Sequence, residues 1–595
     1  MTPSEIRRIP FDKDALNAWA TVDSRHANWP VVYLIDGPAA APSGRSLGPI
    51  FTKVYVGESR NAVARMHQHL ESEEKKKLSA VRVVVDETYN KSVCLDLESH
   101  LIRLLAGDGS YEVLNRNDGI TEADYYDRNR YRAGFDDVFE KLRADGVFTR
   151  TVAEIENSDL FKLYPFKALT PDQGAAVEDI LEGLFDDLEE GNPSTIAVQG
   201  EPGTGKTVVA IYLLKLLADI KSKPASDDLD SDSMFAEFFA PGYPQLLADR
   251  RIGMVIPQQS LRTSVKRVFA KTPGLSPAMV LSAFEVGESD TKFDLLVVDE
   301  AHRLNRRANQ PSAGQNRRFQ EITEKLFGSD DKSRTQLDWI TAQSEHQIFL
   351  IDAAQSVRPA DVPSHVLTTL LDTAKAAGRY YPLSTQMRVQ AGADYVSYIR
   401  RLLSPGVDAS AGLVTPETFA GYDLRFFDDL GQMRDAIMAR DREVGLSRLL
   451  AGFAWKWVSK KDKAAFDIEE DGIKLRWNST QVDWIASPGS LDEVGSIHTV
   501  QGYDLNYAGV IIGPDLKFDP ARERLLFDRK SYADAKGKEN NAALGTTFSD
   551  EDLLQYVANI YAVLLTRGIR GTYIFVVDPS LRNYLRGLFP AALTG

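Results

Sequence analysis

Apolar positions in the first 125 residues recur with two different periods. Two short apolar runs, VVYLI and KVYVG, lie within residues 31–57, and Gly, Pro, Ala and Ser dominate the stretch between them. That pattern predicts two strands joined by a long connection. A helical stretch is predicted near Asn61–Leu70, a strand over VRVVVDE at 81–87, and a helix over CLDLESHLIRLLA at 94–106, where the apolar spacing is helical. Together they make a small α+β domain over residues 1–125. Residues 126–165 are charged and read as a partly helical connector.

From residue 166 onward, strand-like runs alternate with helical ones. TIAVQG is followed by TVVAIYLLKLLAD, and RIGMVIP by a basic helix; FDLLVVDE and HQIFLID come next. Such alternation predicts a parallel sheet with covering helices over 166–380. A second alternating region, 381–595, has LRFF, VDWIA, AGVIIG and GTYIFVVD as candidate strands. The fold class is therefore α/β, with two parallel-sheet lobes preceded by a small α+β domain. No internal repeat is visible. KPASDDLDSDS at 223–233 is acidic, poor in apolar residues and expected to be mobile. RRANQPSAGQNRR at 306–318 is a polar loop with basic ends.

Composition narrows the class only a little. The 595 residues are 43% hydrophobic and 26% charged, enough for several buried cores. No apolar run reaches the ~18 residues of a membrane span, and the first residues lack a signal-peptide core. Cys94 is the single cysteine, which excludes intramolecular disulfides and cysteine-rich zinc sites. These features point to the cytoplasm. The net charge of -15 counts against a broad nucleic-acid-binding coat, so any such claim must rest on a local site.

The chemistry begins at Gly200-Glu-Pro-Gly203-Thr-Gly205-Lys206-Thr207. A strand precedes this stretch and a helix follows, as a phosphate-binding loop requires. The glycines let backbone N–H groups approach phosphates without a side-chain clash. Lys206 is expected to reach the β- and γ-phosphates of ATP, and Thr207 to help hold Mg2+. FDLLVVDEAH at 293–302 delivers Asp299 and Glu300 at a strand end. Asp299 is the expected magnesium carboxylate, and Glu300 the residue that polarises the attacking water.

Several further motifs resemble those of superfamily 1 helicases. LTPDQ at 169–173 resembles their adenine-reading motif, which implies Gln173 as the reader. IDAAQSVRP at 351–359 resembles motif III, with Asp352 and Gln355 coupling the γ-phosphate to bound nucleic acid. LSTQMR at 383–388 resembles motif IV, which puts Arg388 near the γ-phosphate. SIHTVQGYD at 496–504 resembles motif V, with Gln501, Gly502 and Asp504, and His498 beside them. YAVLLTRG at 561–568 resembles motif VI, with Arg567 as an arginine finger. The wording of LLAGFAWKW, QVDWIASPGSLDEVGSIHTVQGYDLNYAGVIIGPDL and YAVLLTRGIRGTYIF is closer to the Schlafen-like DNA/RNA helicase domain. That resemblance implies a P-loop NTPase of two RecA-like lobes, with ATP in the cleft. PQQSLRTSVKRVFAK at 257–271 stands where motif Ia belongs. There Arg262, Lys266 and Arg267 are candidates for phosphate contacts, with a solvated helix face as the alternative. Trp455 and Trp457 are candidates for base stacking or, by preference, for core packing.

The amino-terminal segment resembles GIY-YIG nucleases over roughly residues 28–120. VVY at 31–33 and YVG at 55–57 stand for the name-giving strands, with Val31-Val32-Tyr33 keeping only the tyrosine of Gly-Ile-Tyr. Arg65 matches the family's helix arginine, Glu98 its metal-binding glutamate, and Asn115 in LNRNDG its closing segment. The resemblance implies that Tyr33 or Tyr55 positions or deprotonates water. It also implies that Glu98 holds Mg2+ or Mn2+ and that Arg65 holds the scissile phosphate, with His69 as an assistant. The whole reads as an ATP-driven helicase or translocase acting on nucleic acid, DNA in preference to RNA, coupled to an endonuclease. Such fusions are similar to bacterial DNA-processing or phage-defence enzymes. Two alternatives stay open: an ATP-gated nuclease switch without processive movement, and a DNA-binding ATPase whose first domain does not cut.

Overall fold

The computed structural model describes residues 4–37, 52–73, 75–115, 124–164, 169–222, 235–307, 312–352, 355–386, 389–404, 415–480, 484–500, 504–540 and 544–590. The chain divides into two compact units, Met1–Leu169 with Arg267–Leu275 and Thr170–Lys266 with Ser276–Gly595.

In the first unit, the strands are β1 (Glu5–Pro10), β2 (Val31–Gly37), β3 (Thr52–Ser59), β4 (Ala80–Val85) and β5 (Tyr111–Val113). Among the described residues they form one sheet in the order β1-β4-β2-β3-β5. β2 runs antiparallel to both β3 and β4, and Tyr33 pairs with Gly57. Alternation along β2 sends Val32 and Leu34 to one face and Tyr33 and Ile35 to the other. Both faces are covered. Helices α1 (Lys13–Ala20) and α2 (Ala62–Glu71) bury Leu16, Trp19 and Met66 on the Tyr33 side. Helix α3 (Lys91–Asp108) buries Val93, Leu97, Leu101 and Leu105 on the other. Asn61 and Asn90 cap α2 and α3 by accepting from the third following N–H.

The expected connector is not a separate piece. Helix α4 (Arg128–Ala144) sets Phe135, Val138, Phe139 and Leu142 into the same core as α3. Charged residues on its other side hid this stripe. Asp96, on α3, ties the two helices together: it accepts from Arg132 and Arg128 and from the Tyr125 hydroxyl.

Among the described residues, the second unit holds two large sheets and a two-stranded hairpin. The first comprises β6 (Ser194–Gly200), β7 (Ile252–Val255), β8 (Val280–Leu281), β9 (Phe293–Val298), β10 (Ser344–Ile351) and β11 (Tyr380–Leu383). Its order is β11-β6-β10-β9-β7-β8, all parallel. β11 pairs with β6, so the strand straddles the expected lobe boundary at 380. The adjacent strands β6, β10 and β9 put residues 200–207, Asp352 and Asp299 at their shared carboxyl edge, where a parallel α/β sheet places its ligands.

The second sheet comprises β12 (Asp423–Phe427), β13 (Ser447–Ala451), β14 (Ile468–Glu470), β15 (Ile473–Trp477), β16 (Glu493–Gly495), β17 (Leu505–Ile512) and, after the hairpin strands β18 (Leu516–Asp519) and β19 (Arg524–Phe527), β20 (Gly568–Val576). Its order is β12-β20-β17-β13-β16-β15-β14, parallel except for β14 against β15. Of the expected strand VDWIA, residues 482 and 483 lie outside the described residues, and Trp484–Ala486 form a single 3-10 turn instead. Trp484 is fully buried there and donates to Glu493 Oε2. Its ring fills the space that a Cβ on Gly495 would need. Among the described residues, no helix is long and apolar enough to cross a membrane.

One buried ion pair braces the first lobe. Arg303 Nη1 donates to Asp361 Oδ2 at 2.7 Å, with side chains only 3% and 1% exposed. That carboxylate also accepts from the Val357 and Arg358 N–H groups. Asp361→Ala leaves an uncompensated buried guanidinium, and a stability loss of about 3–5 kcal/mol is expected in urea denaturation.

Candidate functional site

The phosphate loop follows β6 and ends in helix Lys206–Ser222. Gly203 (φ 88°) and Gly205 (φ 77°) lie in the left-handed region, which favours glycine. Lys206 is 6% exposed, and its Nζ donates to Gly200 O at 2.6 Å and Glu201 O at 2.8 Å. The Thr207 hydroxyl donates to Asp299 Oδ2 at 2.7 Å. Asp299 is fully buried. Burial, then the charge of Glu300, pushes its carboxyl above the ordinary carboxylate range. The half-buried Thr207 hydroxyl and the Asp299 carboxyl form a hard-oxygen donor pair, and a cation's charge would favour the ionised carboxylate that Mg2+ takes. Among the described residues, no three His, Cys, Asp or Glu side chains are grouped to hold a metal. Two protein oxygens leave the remaining positions of a bound Mg2+ to phosphates and water.

Glu300 adopts φ 50°, an uncommon backbone for a non-glycine residue. Its Oε2 lies 3.0 Å from His302 Nε2. His302 Nδ1 accepts from the Asp352 N–H at 3.2 Å, so a neutral ring carries its proton on the nitrogen facing Glu300. Burial alone would raise Glu300, but His302, Lys206 and Arg567 outweigh it and hold the carboxyl low. Asp352 Oδ2 accepts from Gln355 Nε2 at 2.8 Å and stands 3.8 Å from Lys206 Nζ. Sequence reading did not single out His302, whose role comes from bridging two strand ends that are distant in the chain.

Arg567 lies between helix Asp550–Leu565 and β20, 2% exposed, and its charge acts on Glu300. The second lobe thus supplies a cation to the carboxyl edge of the first. Gln173 sits in the first turn of helix Pro171–Glu190. Its Oε1 accepts from Thr170 N, and its Nε2 donates to Thr204 O at 2.8 Å, bracing the phosphate loop. Reading adenine requires Gln173 to exchange that bond for the base. Arg388, Gln501, Gly502 and the segment 223–233 lie outside the described residues.

The motif Ia candidates separate. Arg262 Nη1 donates to Ile256 O at 2.7 Å and Pro257 O at 3.2 Å, so it anchors the end of β7 instead of offering itself to a strand. Arg267 lies 3.8 Å from Asp159. Lys266 is half-buried. Trp455 and Trp457 pack against the second-lobe core, and Trp455 Nε1 donates to Glu470. His498 lies on Phe453 with ring centroids 5.3 Å apart. Burial, then Arg358 and Arg303, holds it well below the ordinary histidine value, so it is a neutral packing residue.

In the first unit, Tyr33, Tyr55 and His69 gather on the α2 side of the sheet. Tyr33 is buried, and its hydroxyl is 2.8 Å from His69 Nε2. The Tyr55 ring lies 4.9 Å from that of His69, with Lys75 Nζ 3.8 Å over its centroid. Gly57 is required here, because a Cβ would overlap the Tyr33 hydroxyl. Arg65 interacts with both tyrosines, and Glu98 acts on Tyr33 through its charge. Tyr33, Tyr55, His69 and Arg65 therefore share one locality, whereas Glu98 stands on α3, the helix over the other face of the sheet. Asn115 has a different task. Its amide accepts from Val56 N at 3.0 Å and donates to Val56 O at 2.8 Å, extending the β3–β5 pairing by one side chain.

Burial, followed by Lys75 and Arg65, pushes His69 down to about 3 from its ordinary 6.5. Between those values the unfolded chain holds a proton that the folded chain lacks. The His69 contribution to stability is therefore level above pH 6.5 and is lost as pH drops towards 3, by about 1.4 kcal/mol per pH unit at most. In denaturation midpoints read against pH, His69→Gln is expected to flatten this slope.

The curated relatives include an uncharacterized protein of Saccharomyces cerevisiae, 26% identical over 425 residues, covering 66% of this chain and 84% of that one. Among solved structures, the arterivirus nonstructural protein 10 helicase is 13% identical, with a TM-score of 0.26, covering 70% of this chain. This chain spans 63% of the length of that helicase. The Bacteroides Pif1 helicase crystallised with ADP-AlF3 and single-stranded DNA is 11% identical, with a TM-score of 0.24, covering 71% of this chain and 99% of that one. Residues 193–578, well over half of the chain, match a single family description, Schlafen group 3, DNA/RNA helicase domain. By that match, the chain belongs to the Schlafen group 3 DNA/RNA helicase domain family.

Proposed function

We propose that the second unit is an ATP-hydrolysing nucleic-acid motor, a helicase or translocase acting on DNA. The observation that carries this reading is the gathering of Lys206, Thr207, Asp299 and Glu300 at one strand edge, where the charge of Arg567 from the other lobe acts on Glu300. In this reading Lys206 leaves the loop carbonyls for the β/γ-phosphates. Asp299 and Thr207 hold Mg2+, which screens phosphate charge when bound. Glu300 orients the attacking water and takes up its proton, and Asp352 and Gln355 report the γ-phosphate to the nucleic-acid track. Arg567 stabilises transition-state charge only when the lobes close, which links hydrolysis to lobe movement. The test is unwinding of a tailed DNA duplex. Wild type is expected to separate the strands with ATP, and Lys206→Ala to fail. Strand-stimulated ATP hydrolysis without displacement of a bound protein would instead favour the gated switch.

The first unit supports a second activity, metal-dependent phosphodiester cleavage in the manner of GIY-YIG nucleases. Its carrier is the buried Tyr33–His69 contact, with Tyr55 and Arg65 beside it. In this reading Tyr33 is the base-side group for water, Arg65 meets the phosphate, and Glu98 binds Mg2+ or Mn2+. Loss of metal-dependent plasmid nicking in Glu98→Ala is the expected result. Nicking that survives in that variant would exclude the assignment. A motor joined to a nuclease suits DNA processing or phage defence in the cytoplasm.

A further inference from the structure

Arg400 lies on helix Gly392–Leu402, whose side chains Tyr395, Val396, Tyr398, Ile399 and Leu402 are buried in the second-lobe core. That apolar face fixes the helix to the second lobe. Arg400 itself reaches back to the phosphate loop of the first. Its Nη1 donates to Glu201 Oε1 at 2.9 Å. Among the described residues, its Nη2 is buried without a hydrogen-bond partner, with Asp352 Oδ1 3.6 Å away. The other oxygen of Asp352 stands 3.8 Å from Lys206 Nζ. One carboxylate therefore separates the loop lysine from a second-lobe arginine.

The same arginine borders a cavity of about 160 Å³, lined also by Pro202, Gln355, Val396, Asn559 and Thr566. The Gln355 Oε1 atom is buried there without a hydrogen-bond partner among the described residues. An arginine fork matches phosphate oxygens in a way that a single contact to Glu201 leaves half used. A terminal phosphate between Lys206 and Arg400 would supply acceptors to both cations.

We propose that Arg400 is the residue that distinguishes ATP from ADP, by exchanging Glu201 for the γ-phosphate. Because Arg400 is anchored in the second lobe, the exchange draws that lobe onto ATP and not onto ADP. Glu201 competes with the phosphate for the same guanidinium, so it sets the threshold for closure. This inference rests on the ATP-hydrolysing reading above.

The test measures binding of fluorescent methylanthraniloyl derivatives of ATPγS and ADP to the full chain. Arg400→Gln is expected to weaken ATPγS about tenfold or more, with ADP unchanged within about twofold. Glu201→Gln is expected to strengthen ATPγS severalfold, again without affecting ADP, and the gain is expected to vanish in the double variant. Equal weakening of both nucleotides by a folded Arg400→Gln would overturn the proposal, as would a Glu201→Gln gain that persists without Arg400. Should Arg400→Gln fail to fold, Glu201→Gln decides alone: the absence of any gain for ATPγS overturns the proposal. A folded wild type that binds neither nucleotide would instead remove the ATPase reading itself.

Discussion

Arg567→Ala is expected to lower the ATP turnover number by about 10³-fold, with ATP affinity changed only a few-fold. The side chain is buried at the junction of helix Asp550–Leu565 and β20, and its backbone carbonyl accepts from Leu505 N at 3.2 Å. Its position is therefore fixed by the second-lobe sheet. Its charge is already felt by Glu300 in the first lobe. A cation held in that way assists charge that develops during phosphoryl transfer more than it assists ground-state binding. Arg567→Lys keeps the charge but loses the planar fork, and most of the loss is expected to remain. A parallel rise in KM with an unchanged turnover number would make Arg567 a binding residue only. Steady-state hydrolysis at saturating single-stranded DNA separates the two outcomes.

Tyr33→Phe is expected to reduce metal-dependent DNA cutting by about 10²- to 10⁴-fold, the range for losing a positioned acid–base group. The substitution keeps the ring that packs over Gly57 and removes only the hydroxyl that meets His69. Burial, then Tyr55, holds the Tyr33 hydroxyl well above its ordinary pKa, so it is a neutral hydroxyl at pH 7. Arg65 pulls in the opposite direction. Its approach to a scissile phosphate would leave His69, uncharged above about pH 3, as the group able to share the Tyr33 proton. Unchanged folding and DNA affinity, read by circular dichroism and gel shift, would make the loss chemical. Full cutting by Tyr33→Phe would remove Tyr33 from the reaction.

The residues legible in the sequence are those whose backbone or spacing leaves no choice. Gly203 and Gly205 must take positive φ, and Asp299 and Glu300 must end an apolar strand, so both motifs stand out. Gly57 was legible as part of a strand motif, although its reason, room for Tyr33, is a contact across two strands. Helix α4 was read as a connector because charges surround its stripe, yet Phe135, Val138, Phe139 and Leu142 keep the helical period. VDWIA was read as a strand because a short apolar run does not distinguish a strand from a buried turn. Arg400 and His302 were not legible. Arg400 stands next to Arg401 in YIRRLL, and only the lobe arrangement shows that Arg400 meets Glu201 while Arg401 pairs with Glu417. His302 depends on β9 and β10 lying side by side.

Residues 200–207 are expected to work as the phosphate-binding loop of a nucleic-acid-stimulated ATPase. The most direct test is phosphate release by the full chain, with and without single-stranded DNA, for wild type and Lys206→Ala side by side. Wild type is expected to hydrolyse ATP faster with DNA present, and Lys206→Ala to lose at least about 100-fold under both conditions. Hydrolysis by Lys206→Ala at the wild-type rate would contradict the account.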